Sequence, residues 1–591
     1  MSSLAELNRS LINVAMGREQ ADVVIRNGLI VNVLTGEIIK GDVAVKNRRI
    51  AFVGDASHTV GSSTKVFDVE EKYVVPGFLD GHVHVESAMV TITQFARGVL
   101  PHGTTGVFID PHEIANVLGA DGVKVMIKEG ENVPLRVYVS VPSCVPASSQ
   151  EFETTGAEIG PKEVEELMQY NSVAALGEVM NYPGVINLED KMIEEINIAL
   201  KHNKVVEGHF YGSIKELNAY VASGISSSHE STTKEIGLAK ARLGMYVMIR
   251  EGSAWKDLKE VIKILTEQKI DSRRICLVSD DRHPEDIINE GHMDHIIRRA
   301  IEEGVDPVKA IQMATINTAE HFNVDRDIGA VVPSKLADIV VLDDLRKVNV
   351  NMVFIGGKLI AKEGKLLEEI KPFEYPNFTR KTVRLKEKIA PEKLKIHVGK
   401  EKSKVRINVI KVLEASVLTK RLILEVPVKD GFIEQDTKMD LSKVASIERH
   451  KASGEMGIGF VTGFGFKSGA VASTVAHDNH NLLVIGTNDK DMAFACNELE
   501  KVGGGMIAVK EERVLAIVKL PIAGLISDDP IERVSEDVKK LQEAWKLLGC
   551  NMIHPFMTMS LLSLSVLPEI RVTNKGLIDT VNFRKITLVS D

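Results

Sequence analysis

His82 and His84 stand two residues apart at the end of Pro76-Gly77-Phe78-Leu79-Asp80-Gly81-His82-Val83-His84, behind an apolar run, Tyr73-Val74-Val75, that reads as a buried strand. On an extended chain, side chains two apart point to the same side. Both imidazoles can therefore offer a nitrogen to one metal ion, with zinc, iron, nickel and manganese all within the range of that ligand. Four further apolar runs end in residues of the same kind. Val173–Gly177 runs into Glu178, Val205–Gly208 into His209, Ile225–Ser228 into His229, and Ile275–Ser279 into Asp280. Any one of these histidines, met alone, reads as well as a packed, hydrogen-bonded residue. Four histidines and two carboxylates, each closing a strand, form a donor set for two divalent ions about 3.5–4 Å apart. A carboxylate such as Glu178 can bridge two ions because it has two oxygens.

Such a set needs a scaffold that brings strand ends together. Eight β-rich runs alternate with helical stretches, at 73–79, 104–109, 135–141, 173–178, 204–209, 225–229, 245–250 and 275–280. This predicts a (β/α)8 TIM-like barrel, whose strands all end at one mouth. Leu258, Val261, Ile262 and Leu265 give the helix before the last strand a core-facing stripe. Residues 21–72 read as a small antiparallel sheet with an Asn27-Gly28 hairpin, and 329–358 return to strands that complete it. The domains expected are 1–72 plus 325–365, a barrel over 73–324, a charged connection over 366–403, and a C-terminal α+β region over 404–591. In that last region, strands are predicted near 405–413, 421–427, 471–475, 482–486 and 506–509, and helices near 489–501 and 534–548.

Composition narrows the class. The 591 residues are 44% hydrophobic and 26% charged, the balance of a globular protein. A net charge of −9 argues against nucleic acid as a partner. No stretch reaches a membrane span, since Val514–Ile526 is interrupted by Lys519, and the first residues lack a signal-peptide block. The four cysteines are widely spaced, form no CxxC, and fit a reducing, cytoplasmic location.

The chain resembles the amidohydrolase superfamily through the PGFLDGHVHVES segment, the ordered donors and the closing Ala337-Asp338-Ile339-Val340-Val341-Leu342-Asp343. Within that superfamily it is similar to the adenine deaminases, through Asp110-Pro111-His112-Glu113-Ile114-Ala115-Asn116, Ser279-Asp280-Asp281-Arg282-His283-Pro284 and Ala476-His477-Asp478-Asn479-His480-Asn481. The resemblance implies an α/β fold: a metal-dependent barrel, a small composite β-sandwich domain and a C-terminal domain. It implies that His82 and His84 bind one metal, His209 and His229 a second, Glu178 bridges where many relatives carry a carbamylated lysine, and Asp280 binds metal and shuttles protons. Asp281 is its rival by one position. The ions implied are Mn2+ or Fe2+, with Zn2+ compatible with the donors. The reaction implied is attack by a metal-bridging hydroxide on C6 of adenine, yielding hypoxanthine and ammonia. Barrels of this kind often pair, so a homo-oligomer, a dimer, is the expected assembly.

Other polar residues are candidates for the second acid or for substrate contact. Glu113, His112 and His283 can supply protons near the ring, and Arg250 and Glu251 end the seventh strand. His477, Asp478 and His480 belong to a loop that would reach over the mouth. Each has a plain alternative: a helix start for His112 and Glu113, mutual pairing for Arg250 and Glu251, a polar turn for 477–480. A one-zinc deaminase is excluded, because His84-Val85-Glu86 has no PCxxC to complete it. Gly503-Gly504-Gly505 reads as a turn and the methionines of 552–564 as core. A different amidohydrolase would share the six donors but not the 110–116 and 476–481 segments, and a scaffold without chemistry would have lost some of the donors.

Overall fold

The computed structural model describes residues 4–414 and 416–590. Eight parallel strands form its centre: β1 (Phe78–Val83), β2 (Thr104–Ile109), β3 (Arg136–Val141), β4 (Val173–Val179), β5 (Val205–Gly208), β6 (Ser227–Ser228), β7 (Tyr246–Arg250) and β8 (Ile275–Val278). β1 to β5 hydrogen-bond in sequence order, as do β6 to β8. Two seams close the ring. Ser226 N–H donates to Val206 O at 3.0 Å; on the other side Asp280 N–H donates to His82 O at 3.0 Å and His84 N–H to Asp280 O at 3.1 Å. The second seam thus zips two sequence-distant donor segments together. β1, β2 and β4 are buried at every residue, as expected of parallel strands covered on both faces.

The helices are placed by caps and apolar faces, and several reach the strand ends. In Ile214–Ala222, Ser213 and Glu216 form a reciprocal cap, and Leu217 and Tyr220 turn inward. Tyr220 Oη donates to Val179 O at 2.6 Å and accepts His209 N–H at 3.0 Å. One helix face thereby fixes the end of β4 against the end of β5.

Two strand expectations change. The run read as 73–79 is two strands: Tyr73–Pro76 joins the small sheet, pairing with Ile339–Leu342, and β1 begins at Phe78. The break falls at Gly77, where a Cβ would lie 2.1 Å from Thr105 Oγ1, so only glycine lets the chain pass from one sheet to the other. Asn27-Gly28 is not a hairpin but a bulge within one long strand, Val23–Asn32. Asn27 has φ 60° and its N–H donates to Asp42 Oδ1 at 2.9 Å. The bulge lets one strand pair with Lys65–Asp68 before it and Tyr73–Val74 after it.

In the C-terminal region a ten-stranded sheet runs from Ile396 to Lys519, and helices Asp489–Val502 and Ile531–Leu547 match the periodic segments. Ser442–Ile447 and Met456–Thr462 are additional strands of that sheet. Gly457 and Gly459 obscure the second of them, since glycine weakens the strand signal. Gly503, with φ 85°, caps the helix that precedes it, and Met557 and Met559 are core. Among the described residues, no helix is long and apolar enough to cross a membrane.

Candidate metal centre

The six donors meet at the mouth of the barrel. His82 and His229, from opposite parts of the ring, stack with centroids 4.0 Å apart and planes 16° from parallel. Glu178 lies between two groups of imidazoles. Its Oε2 is 2.7 Å from His209 Nδ1 and 3.1 Å from His229 Nε2, while its Oε1 is 3.5 Å from His84 Nε2. Asp280 Oδ1 is 3.6 Å from His84 Nε2 and 3.8 Å from His82 Nε2. Among the described residues, three triads of these side chains are spaced to hold an ion, His82, His84 and Glu178; His82, His229 and Asp280; and Glu178, His209 and His229, and a fourth, Glu113, His477 and His480, shares no member with them.

Neighbouring groups orient these side chains. His84 Nδ1 is 2.9 Å from the Asp110 carbonyl. A carbonyl can only accept, so Nδ1 carries the proton and the Nε2 lone pair faces the cluster. His82 Nδ1 faces Glu207 Oε2 at 3.4 Å, and both His82 ring nitrogens are buried without a hydrogen-bond partner. Asp80 accepts the backbone N–H groups of His82 and Ser279 at 3.3 and 3.1 Å, linking the ends of β1 and β8. Asp280 has φ 61°, a costly backbone for a residue with a Cβ, held by the seam to β1.

Charge decides what the cage fits. Glu178, Asp280, Glu230 and Glu207 are buried around it, and Arg250 brings a guanidinium to it, 2.9 Å from Asp280 Oδ2 and bonded to Glu230. Burial pulls the pKa of His82 and His84 down, but the surrounding carboxylates, Glu207 and Glu178 first among them, outweigh it and raise both to about 10. His229, buried against His82, falls to about 4 and is neutral. Unpartnered buried nitrogens, excess carboxylate and no thiolate suit divalent ions that favour nitrogen and oxygen. The four cysteines are buried and belong to none of the triads.

A second cluster lies beside the first and joins two distant parts of the chain. Glu113 Oε1 is 2.9 Å from His477 Nδ1, and Glu113 Oε2 bonds His480 Nε2. His480 Nδ1 accepts Ala476 N–H at 3.1 Å, so this imidazole is neutral and donates through Nε2. His112 Nε2 is 3.2 Å from Asp478 Oδ2. Burial opposes the charge on His112, yet Asp478 raises it to about 10, while Asp478 itself drops to about 2. The loop 476–481 is held from behind by Arg449, whose guanidinium bonds the carbonyls of His480 and Ala523.

The remaining candidates divide. Asp280 points at the histidines, whereas Asp281 bonds Ser87 Oγ. His283 lines the cleft next to Glu113 and His477. Arg250 and Glu251 do not pair with each other: Arg250 enters the cluster, and Glu251 faces Arg299 at 3.5 Å, away from it. Sequence reasoning passed over Glu230, which is 3.5 Å from His229 Nε2 and bonded to Tyr211, although its place directly after His229 was a signal. It also passed over Glu207 and over Asp110 as a support, and over Lys240, whose Nζ donates to Ser228 Oγ at 2.8 Å and Glu230 O at 2.7 Å and holds the end of β6.

Comparison with known proteins finds relatives over nearly the whole chain. Residues 73–360 match the amidohydrolase family and residues 416–584 the adenine deaminase C-terminal domain. An adenine deaminase of Moorella thermoacetica is 52% identical over 589 residues, 99% of each chain. One of Clostridium botulinum is 49% identical over 99% of this chain and 98% of its own. Adenine deaminase 3 of Rhizobium meliloti is 44% identical over 99% of each.

Proposed function

From the premise that this chain belongs to the adenine deaminases of the amidohydrolase family, we propose that its barrel mouth binds adenine and removes the 6-amino group by hydrolysis. The products are hypoxanthine and ammonia. One observation carries the site assignment: Glu178 offers its two oxygens to two separate imidazole groups.

His82, His84 and Asp280 would hold one divalent ion, His209 and His229 the other, and Glu178 would belong to both. When bound, such ions acidify water to hydroxide near neutral pH and offset negative charge on the attacked ring. The donor set, imidazole and carboxylate without thiolate, favours Mn2+ or Fe2+ and accommodates Zn2+.

The chain's own groups supply positioning and proton transfer. Asp280 takes a proton from the attacking water on Oδ1 and returns it to the departing amino nitrogen, while Arg250 holds Oδ2 still. The oxygen added at C6 comes from water, and nitrogen leaves as ammonia. The purine's N1 must gain a proton as C6 becomes tetrahedral. His283 and the Glu113–His477 pair line the adjacent cleft and can deliver it, and the second proton of the water restores the donor. The loop 476–481 closes the cleft and keeps bulk water from the ring.

Purified protein should contain close to two equivalents of transition metal by mass spectrometry and release ammonia from adenine. Chelation should abolish release, and Mn2+ or Fe2+ should restore it better than Zn2+. Ammonia from guanine or cytosine in place of adenine would overturn the substrate assignment.

A further inference from the structure

The lining of the cleft beside the metal cluster mixes apolar residues such as Met89 and Phe556 with Glu86, Ser87, Glu113 and His477. Glu86 is unlike the other acidic side chain there. Glu113 has an imidazole on each oxygen. Glu86 Oε1 accepts the Ile114 N–H at 3.2 Å, which fixes the carboxyl group, but its Oε2 is buried with no hydrogen-bond partner. The residue is 3% exposed, and of the two acidic side chains that line the cleft it is the one with a buried oxygen left without a partner. A buried polar atom without a partner is costly, and in a substrate cleft the missing partner is a group of the substrate.

We propose that Glu86 Oε2 accepts the N9–H of the purine and thereby sets the preference for the free base over N9-substituted purines. This rests on the adenine reading above. With C6 turned toward the metal cluster, N9 lies on the five-membered ring, at the end of the purine away from the reacting carbon. Glu86 follows His84 by two residues and lines the cleft, which makes it the proposed partner of that edge of the ring. A nucleoside has no hydrogen at N9 and would leave Oε2 unpaired, besides carrying a sugar against Phe556. Sites built to bond a substrate N–H reject analogues without it far more strongly than apolar pockets reject added bulk.

The test compares adenine with 9-methyladenine, which lacks only the N9 hydrogen and adds one carbon. In the wild-type protein adenine should be preferred by about 10⁴-fold. In Glu86→Met this preference should collapse, through weaker adenine binding read as a raised KM, with 9-methyladenine inhibition unchanged. Metal content and melting temperature should stay at wild-type values. An unchanged preference, or parallel weakening of both ligands, overturns the proposal. If Glu86→Met does not fold, the wild-type comparison decides, since equal binding of the two purines is enough to reject the contact. Failure of the wild-type protein to deaminate adenine would instead overturn the substrate reading and leave this contact without a basis.

Discussion

The Asp110 carboxylate accepts the backbone N–H of Glu178 at 3.0 Å, and the carbonyl of the same residue accepts His84 Nδ1–H at 2.9 Å. One residue thus positions two of the candidate ligands. The approach is possible because residue 177 is glycine: a Cβ there would lie 2.2 Å from Asp110 Oδ2. Gly177→Ala should push Asp110 away and loosen Glu178. Metal affinity should fall about 10- to 100-fold, the range for lost ligand support, with circular dichroism unchanged. Equilibrium dialysis against a metal buffer reads the effect.

Arg250 serves three carboxylates, Glu230, Asp257 and Asp280. Replacing it with methionine keeps the volume and removes the charge. The carboxylates then stay buried without a counter-ion, which costs about 3–5 kcal/mol when one partner of a buried pair is lost. A lowered melting temperature is expected, and the deficit should be larger after chelation than with metal present, because a bound cation takes over part of the neutralisation.

The Glu113–His480 bond joins the barrel to a loop 367 residues away. Glu113→Gln and His480→Gln should each reduce kcat/KM, and the double variant should be no worse than the poorer single one. A coupling energy of about 1–3 kcal/mol is expected for groups in one buried network. Additive losses would mean that the two side chains act separately.

Glu195, on the helix Asp190–Lys201, is fully buried with neither oxygen hydrogen-bonded and Lys191 3.8 Å away. Burial pushes its carboxyl up from 4.5 to about 8. The folded chain therefore keeps a proton that the unfolded chain releases between roughly pH 4.5 and 8. Stability falls as pH rises through that window and levels off above it. Glu195→Gln should remove this dependence. Its melting temperature should exceed that of the wild type at pH 8.5 and match it near pH 5.

Much of the site was legible because its members close apolar strands. Glu178, His209, His229 and Asp280 each follow a short β-rich run, and alternation with helical segments places such ends at one mouth whatever the loops between them do. Donor type and order were therefore fixed by local pattern, as were the helices Asp489–Val502 and Ile531–Leu547, whose apolar periodicity does not depend on distant contacts.

Other features were beyond local pattern. Asp280 and Asp281 are equivalent in composition and adjacent in sequence; the seam to β1 and the left-handed backbone at Asp280 turn one toward the histidines and the other toward Ser87. A shift of one residue reverses the side a strand residue faces, and apolar spacing does not resolve such a shift at a strand end. The meeting of Glu113 with His477 and His480, the clamp of Arg250 on Glu230, and the unpaired oxygen of Glu86 arise from packing between segments far apart in the chain. The sequence by itself determined which donors exist and that strand ends carry them. The tertiary structure decided which oxygen faces which nitrogen, because pairing at hydrogen-bond range depends on how whole domains pack, and no spacing along the chain encodes that distance.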